Sequence, residues 1–311
     1  MRNSFVDTIV AECGHRQDLM IVSGDAGLGV FDTLQRDFPD RFLNLGVAEQ
    51  NMAGFAAGLA MAGYKVFVYN IIPFLLYRCY EQVRNSICHQ HLPVVLVGTG
   101  SGVTYAPAGI SHYAVEDVGL ARTLPQLIVI SPADPEEARA AACYALTAEA
   151  PVYVRLAKSG ERPIGREGEG ALDITGPRVI RPGADIAVLF HGAIADEVIA
   201  ASDALAALGV QPLLVSIPML QPLDKERLYA LLADMRAVLC VEEHFAGTGL
   251  GSLLAGLRLA GQGAWVLRIM GIPDGSITKI GDCNRLRQHF GISAVDIRRA
   301  VLELRTGLDH G

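Results

Sequence analysis

Residues 44–63 read N-L-G-V-A-E-Q-N-M-A-G-F-A-A-G-L-A-M-A-G, the end of a short apolar strand turning into a Gly/Ala-rich helix with one acid, Glu49, in its first turn. An acid at that position ordinarily complements the helix dipole, so Glu49 alone identifies no chemistry. The strand-then-helix pattern decides more, because it recurs on both sides. Apolar, often β-branched runs occur at 19–24 (LMIVSG), 41–46 (RFLNLG), 65–70 (KVFVYN), 93–98 (PVVLVG), 127–132 (LIVISP) and 151–157 (PVYVRLA). Helical patterns are expected over 5–15, 48–62, 74–89, 116–123 and 135–148. The last is announced by Asp134-Pro135-Glu136-Glu137 as N-cap, first helical residue and first-turn acids. Strands apolar on both faces, with helices between them, predict an α/β fold with a mainly parallel, doubly wound, six-stranded sheet over residues 1–157.

The rhythm stops over 158–184, where Gly, Pro, Arg and Glu dominate, and this stretch reads as a linker. It resumes over 185–311 with strands at 185–192, 211–218, 237–244 and 264–271, and helices at 194–208, 224–233, 250–260 and 293–305. A second, smaller doubly wound α/β domain is expected there.

Composition narrows the function classes. The 311 residues are 51% hydrophobic with a mean hydropathy of +0.32 and abundant Gly and Ala, which favours large buried interfaces and an oligomer. A net charge of −7 with dispersed Lys and Arg offers no electrostatic footprint for nucleic acid or an anionic membrane. The Gly/Ala-rich apolar run, 52–63, is 12 residues, against the roughly 20 that span a bilayer. The N-terminal segment lacks the apolar core of a signal peptide. Cysteines 13, 79, 88, 143, 240 and 283 stand singly, as reduced thiols of a cytoplasmic protein do.

Two glycine-rich runs, 98–103 (GTGSGV) and 247–252 (GTGLGS), follow strands, but neither has the full dinucleotide register, and tight turns account for them better. Cys88-His89-Gln90-His91 ends a helix before Pro93, and no second ligand set follows at zinc spacing, so no metal site is expected. Ser101, Ser111 and Cys79 lie outside any nucleophile elbow. Phe74, Tyr77 and Tyr80 recur at i, i+3 and i+6 and should share one helix face. Such aromatics usually serve a core, yet in a doubly wound sheet ligands bind beyond the carboxyl ends of the strands. Glu49 and this face both open on that edge and together suit a flat ring.

Five stretches in order, LGVAEQNMAGFAAGLA (45–60), FLLYRCYEQVRN (74–85), GISHYAVED (109–117), ISPAD (130–134) and VEEHFAGTGLGS (241–252), resemble the pyrimidine-binding and C-terminal domains of the transketolase family of thiamine diphosphate enzymes. The resemblance covers essentially the whole chain. It is strongest to the C-terminal subunit of split transketolases, whose diphosphate-binding domain is a separate polypeptide. The Gly-Asp-Gly that begins the family's metal and diphosphate motif is absent, Gly24-Asp25-Ala26 being its nearest imitation.

The resemblance implies a transferase moving a two-carbon ketol unit from a ketose-type donor to an aldehyde acceptor. Thiamine diphosphate would be the cofactor, with Mg²⁺ or Ca²⁺ held by the partner, in an α₂β₂ heterotetramer. It makes Glu49 the acid that bonds N1′ of the aminopyrimidine and Phe74 the ring stacked on it, with Tyr77 and Tyr80 alongside. A one-residue shift in that gap would put Leu75 in the stacking place. His112 matches a histidine that contacts substrate hydroxyls and aids proton transfer. Arg2 and Lys158 fall near substrate-phosphate positions, Lys158 where the family usually has Arg. Ala108 stands where transketolases carry an Asp that reads a sugar hydroxyl, so sugar specificity is expected to differ. Glu242, Glu243 and His244 match a signature read as structural or interfacial. Two alternatives stay open: a 2-oxo acid-using relative (1-deoxyxylulose-phosphate-synthase-like, or of the dehydrogenase E1 beta type) and a non-catalytic scaffold subunit.

Overall fold

Each apolar run of the first half forms a strand: β1 Leu19–Ser23, β2 Phe42–Asn44, β3 Lys65–Ile71, β4 Val94–Thr99, β5 Ile128–Ile130 and β6 Val152–Leu156. The computed structural model describes residues 1–158, 160–165, 170–261, 263–275 and 277–309. These six strands pair in parallel in the order β5-β6-β4-β3-β1-β2. Helices α1 Arg2–Cys13, α2 Asp32–Asp37, α3 Glu49–Met61, α4 Tyr80–Gln82, α5 Asp117–Arg122 and α6 Pro135–Thr147 lie between them.

Strand alternation assigns residues to the two helical layers. Val66 and Val68 of β3, with Val94 and Leu96 of β4, pack with Met52, Ala53, Ala56 and Ala57 of α3. Their neighbours Phe67, Tyr69, Val95 and Val97 pack with Phe5, Val6 and Ile9 of α1 and Ala138, Ala141 and Ala142 of α6. The expected cap of α6 is present, the Asp134 side chain accepting from Glu137 N at 2.7 Å.

The second half contributes β7 Arg178–Arg181, β8 Ile186–Phe190, β9 Leu213–Ser216, β10 Met219–Gln221, β11 Ala237–Phe245 and β12 Val266–Ile272. Its helices are α7 Ala195–Ala206, α8 Lys225–Leu232, α9 Leu250–Leu259, α10 Cys283–His289 and α11 Ala294–Asp309. Five strands form a second sheet in the order β12-β11-β8-β9-β7, parallel except for β7. The apolar layer on the α3 side of the first sheet runs on into this one through Leu189, Val215, Val238 and Cys240. Among the described residues, no helix is long and apolar enough to cross a membrane.

Two strands correct the expected organisation. β7 falls inside the stretch read as linker, of which 159 and 166–169 lie outside the described residues. Only Arg178 and Ile180 of its four residues are buried, too short and too charged a pattern to register as a strand. β10 leaves the second half and pairs antiparallel with β5, making the first sheet seven-stranded. It covers an edge that would otherwise present unpaired backbone groups.

Candidate active site

The carboxyl ends of β1, β2, β3 and β4 are adjacent in the first sheet, and their outgoing loops carry most of the residues singled out by sequence. Asn44 ties two of these loops together, its Oδ1 accepting from Asp25 N at 3.0 Å and Gly46 N at 2.9 Å. The chain then turns through Gly46, whose φ is +69°, and enters α3 with Glu49 as its first residue. Glu49 is 5% exposed, and its Oε2 accepts from Arg78 Nη1 at 2.8 Å. Its Oε1 takes no hydrogen bond among the described residues.

Arg78 follows a segment wound unusually wide. Residues Pro73–Tyr77 and Val83–Cys88 are π-helical, flanking α4, with i→i+5 bonds such as Arg78 N to Pro73 O at 3.1 Å. Such turns concentrate at functional sites. The Arg78 guanidinium lies 4.7 Å from the Phe74 ring centroid. On the ring's other contact, His112 meets it edge to face at 5.3 Å and 77°. Leu75 is buried in the core while Phe74 remains half-buried, so Phe74 is the side chain turned toward Arg78 and His112.

The π winding also corrects the shared aromatic face. Spacing of i, i+3 and i+6 aligns side chains on an α-helix, but the wider turn separates them. The Tyr77 hydroxyl donates to Glu116 Oε2 at 3.0 Å, and the Tyr80 hydroxyl bonds Thr123 Oγ1 at 2.6 Å. Both tyrosines therefore reach α5, at its N-cap Glu116 and its C-cap Thr123. The Tyr77 phenol is pushed well above its usual range by burial, reinforced by Asp117 and Glu116.

The loop after β4 carries His112 and Ala108, and the remaining candidates adjoin it. His112 Nδ1 lies 3.0 Å from Ser111 Oγ, and its ring is 6.2 Å from Tyr105, over which Lys158 Nζ sits at 5.1 Å. Arg2 is reached through Tyr69: burial pushes that phenol up to about 12, and the Arg2 charge opposes the shift. Ala108 ends an exposed turn of this loop and offers no side-chain hydrogen bond.

What positions this loop escaped the sequence reading. Both of its ends are clasped by the tip of β11 from the second half. Val103 N donates to Glu243 Oε1 at 2.8 Å, and Phe245 N donates to Val115 O at 2.8 Å. Gly102, at φ +60°, lies so close to the Glu243 carboxylate that a Cβ there would collide with it. Arg155, 1% exposed, donates from Nε to Asp117 Oδ2 at 2.8 Å and from Nη2 to Ala114 O at 2.9 Å and Glu243 O at 3.0 Å. Arg287 pairs with Glu243 Oε2. His244 Nε2 accepts from Val118 N at 3.1 Å, an arrangement that requires the neutral ring, and burial lowers its pKa. Glu242 accepts from Leu250 N at 2.8 Å and Gly251 N at 2.9 Å. The glycine-rich start of α9 is thus already filled by a carboxylate of the chain itself.

A rim of acid, aromatic, histidine and cations at the carboxyl edge of a parallel sheet, with a second α/β layer behind it, defines a ligand-binding α/β protein. The family model described as "Transketolase, pyrimidine binding domain" matches residues 1–162, and "Transketolase, C-terminal domain" matches residues 177–297. The chain belongs to the transketolase family. It is 33% identical to a subunit of the apulose-4-phosphate transketolase of Actinobacillus succinogenes over 98% of both chains. It is 31% identical to "1-deoxy-D-xylulose-5-phosphate synthase" of Heliobacterium modesticaldum, over 86% of this chain and 41% of that longer one. Its fold is similar to a solved "Split gene transketolase, inactive beta4 tetramer", with a TM-score of 0.86, 29% identity, and coverage of 98% of this chain and 97% of that one.

Proposed function

We propose that this chain is the aminopyrimidine-binding subunit of a thiamine diphosphate-dependent transketolase-like transferase that moves a two-carbon ketol unit from a ketose-type donor to an aldehyde acceptor. The observation that carries the reading is Glu49, a carboxylate 5% exposed, set at the edge of the sheet within one arginine of the half-exposed Phe74 ring. Bound thiamine diphosphate would supply the electron sink for carbon–carbon cleavage. Glu49 holds and returns a proton at pyrimidine N1′, and Phe74 gives the ring a face to lie on. Tyr77 and Tyr80 brace the π-wound segment from behind. His112, oriented by Ser111, handles a proton at a substrate hydroxyl. Arg2 and Lys158 offer cations to a substrate phosphate, Lys158 as a point charge without the bidentate fork of Arg.

The residues present fit the pyrimidine half of the cofactor and not the diphosphate half. Asp25 faces Asn44 Nδ2 at 3.5 Å, its φ is +56°, and the loop beyond it leaves Leu28 99% exposed. A separate partner subunit therefore holds the diphosphate and Mg²⁺ or Ca²⁺. The outer face of α3 supports association in an α₂β₂ assembly: Val47, Phe55 and Met61 are exposed, and a Cβ at Gly54 or Gly58 would meet nothing within the chain. The first half of the chain carries the site, and β11 of the second half clasps its loop.

One observation favours a second reading with a 2-oxo acid donor: Ala108 places no hydrogen-bonding side chain where a sugar hydroxyl would be read, and loss of such a partner changes discrimination strongly. Product analysis separates the two. With a ketose phosphate the assembled enzyme is expected to release an aldose phosphate shortened by two carbons. Carbon dioxide release from pyruvate, with no reaction of the ketose, would overturn the ketol-transfer reading.

A further inference from the structure

Arg78 stands between the two groups on which the proposed site depends. Its Nη1 donates to Glu49 Oε2 at 2.8 Å, and its guanidinium lies over the Phe74 ring, 4.7 Å from the centroid. The backbone of the same residue is also held. Gln50 Nε2 donates to Arg78 O at 3.2 Å, and Cys79 Sγ donates to Phe74 O at 3.2 Å across the widened turn. Two successive residues of α3, Glu49 and Gln50, therefore grip the side chain and the carbonyl of one arginine.

The pair is asymmetric. The Glu49 side chain is 5% exposed and that of Arg78 is 46% exposed. The guanidinium can thus swing into water without uncovering apolar core, whereas the carboxylate stays where it is. A guanidinium is planar, rich in N–H donors and able to stack on an aromatic face while bonding a carboxylate. An aminopyrimidine resting on Phe74 and bonded to Glu49 makes the same two contacts.

We propose that Arg78 is a displaceable occupant of the aminopyrimidine site. In the unassembled subunit it fills the space between Glu49 and Phe74, and cofactor binding drives it outward. The proposal rests on the reading of this chain as the aminopyrimidine-binding subunit. Its first consequence is protective, since the buried carboxylate always has a donor before the cofactor arrives. The second is quantitative. Apparent cofactor affinity equals the intrinsic affinity multiplied by the fraction of molecules in which Arg78 has vacated the site.

The test compares wild type, Arg78→Met and Arg78→Lys, each assembled with the separate partner subunit, by calorimetric titration with thiamine diphosphate at saturating Mg²⁺. Methionine keeps the stem and removes the competing cation, so the dissociation constant is expected to fall about tenfold. Lysine, which lacks the planar fork, is expected to lie between. The gap between wild type and Arg78→Met should narrow in 1 M salt, because a half-exposed ion pair is screened. Equal or weaker binding by Arg78→Met, with the wild type still binding, overturns the displacement proposal and leaves the subunit reading standing. Absence of binding in all three complexes overturns the subunit reading and the proposal together.

Discussion

Replacement of Glu49 by glutamine is expected to lower turnover of the assembled enzyme by about 10²–10⁴-fold, with subunit association unchanged. The substitution keeps the volume and the hydrogen-bonding reach of a side chain that is 5% exposed, so packing around α3 should not change. It removes the capacity to take up and return a proton, the role that general acid–base catalysis requires of this group. Arg78 loses its ion-pair partner in the variant, but its guanidinium is half in water and tolerates that loss. The specific readout is exchange of the C2 hydrogen of bound thiamine diphosphate, followed by quenched-flow NMR. Exchange should slow by the same factor as turnover. Exchange at the wild-type rate, in a complex that still assembles, would remove Glu49 from the chemistry.

The second large effect concerns stability. Asp117→Ala is expected to destabilise the chain by about 3–5 kcal/mol, the usual cost of breaking a buried ion pair from one side. Arg155 is 1% exposed and Asp117 is fully buried. The variant leaves a guanidinium in the interior with only the carbonyls of Ala114 and Glu243 as acceptors. It also strips the Tyr153 hydroxyl of its acceptor, now 2.7 Å away at Asp117 Oδ2. Trp265, the single tryptophan and 2% exposed, reports the transition by fluorescence in urea. Arg155→Met should cost a similar amount. The double variant should cost far less than the sum, because both changes break one interaction. A loss below about 1 kcal/mol for Asp117→Ala would mean that the junction of the two sheets does not depend on this pair.

These two residues mark the difference between what a linear reading reveals and what it conceals. The place of Glu49 in the fold was legible because it combines a local signal, the first turn of a Gly/Ala helix, with a topological one, the carboxyl edge of a parallel sheet. The six strands of the first sheet were legible for the same reason, since strands buried on both faces are nearly continuous apolar runs. Asp117 closes the GISHYAVED stretch and Arg155 interrupts the apolar run PVYVRLA, but they are 38 residues apart, so only the fold pairs them. The grip of Glu243 on Val103 spans 140 residues and was equally hidden, although V-E-E-H at a strand end marked the place. β10 has three residues and borrows its partner from the other half of the chain. The π winding of 73–77 and 83–88 broke the three-residue spacing assumed for Phe74, Tyr77 and Tyr80. Arg78 escaped notice because its carboxylate partner, Glu49, is 29 residues away and only the fold brings the two together. Phe74, with an arginine four positions on at the end of an aromatic run, is the signal that would have found it.

A divided cofactor site is tested most directly by calorimetric titration of thiamine diphosphate with Mg²⁺ into the chain alone, the partner subunit alone and their equimolar mixture. Saturable, metal-dependent binding is expected only in the mixture, because on the proposed reading the chain offers Glu49 and Phe74 to the pyrimidine but no Gly-Asp-Gly to the metal and diphosphate. Tight, Mg²⁺-dependent binding by the isolated chain would contradict it.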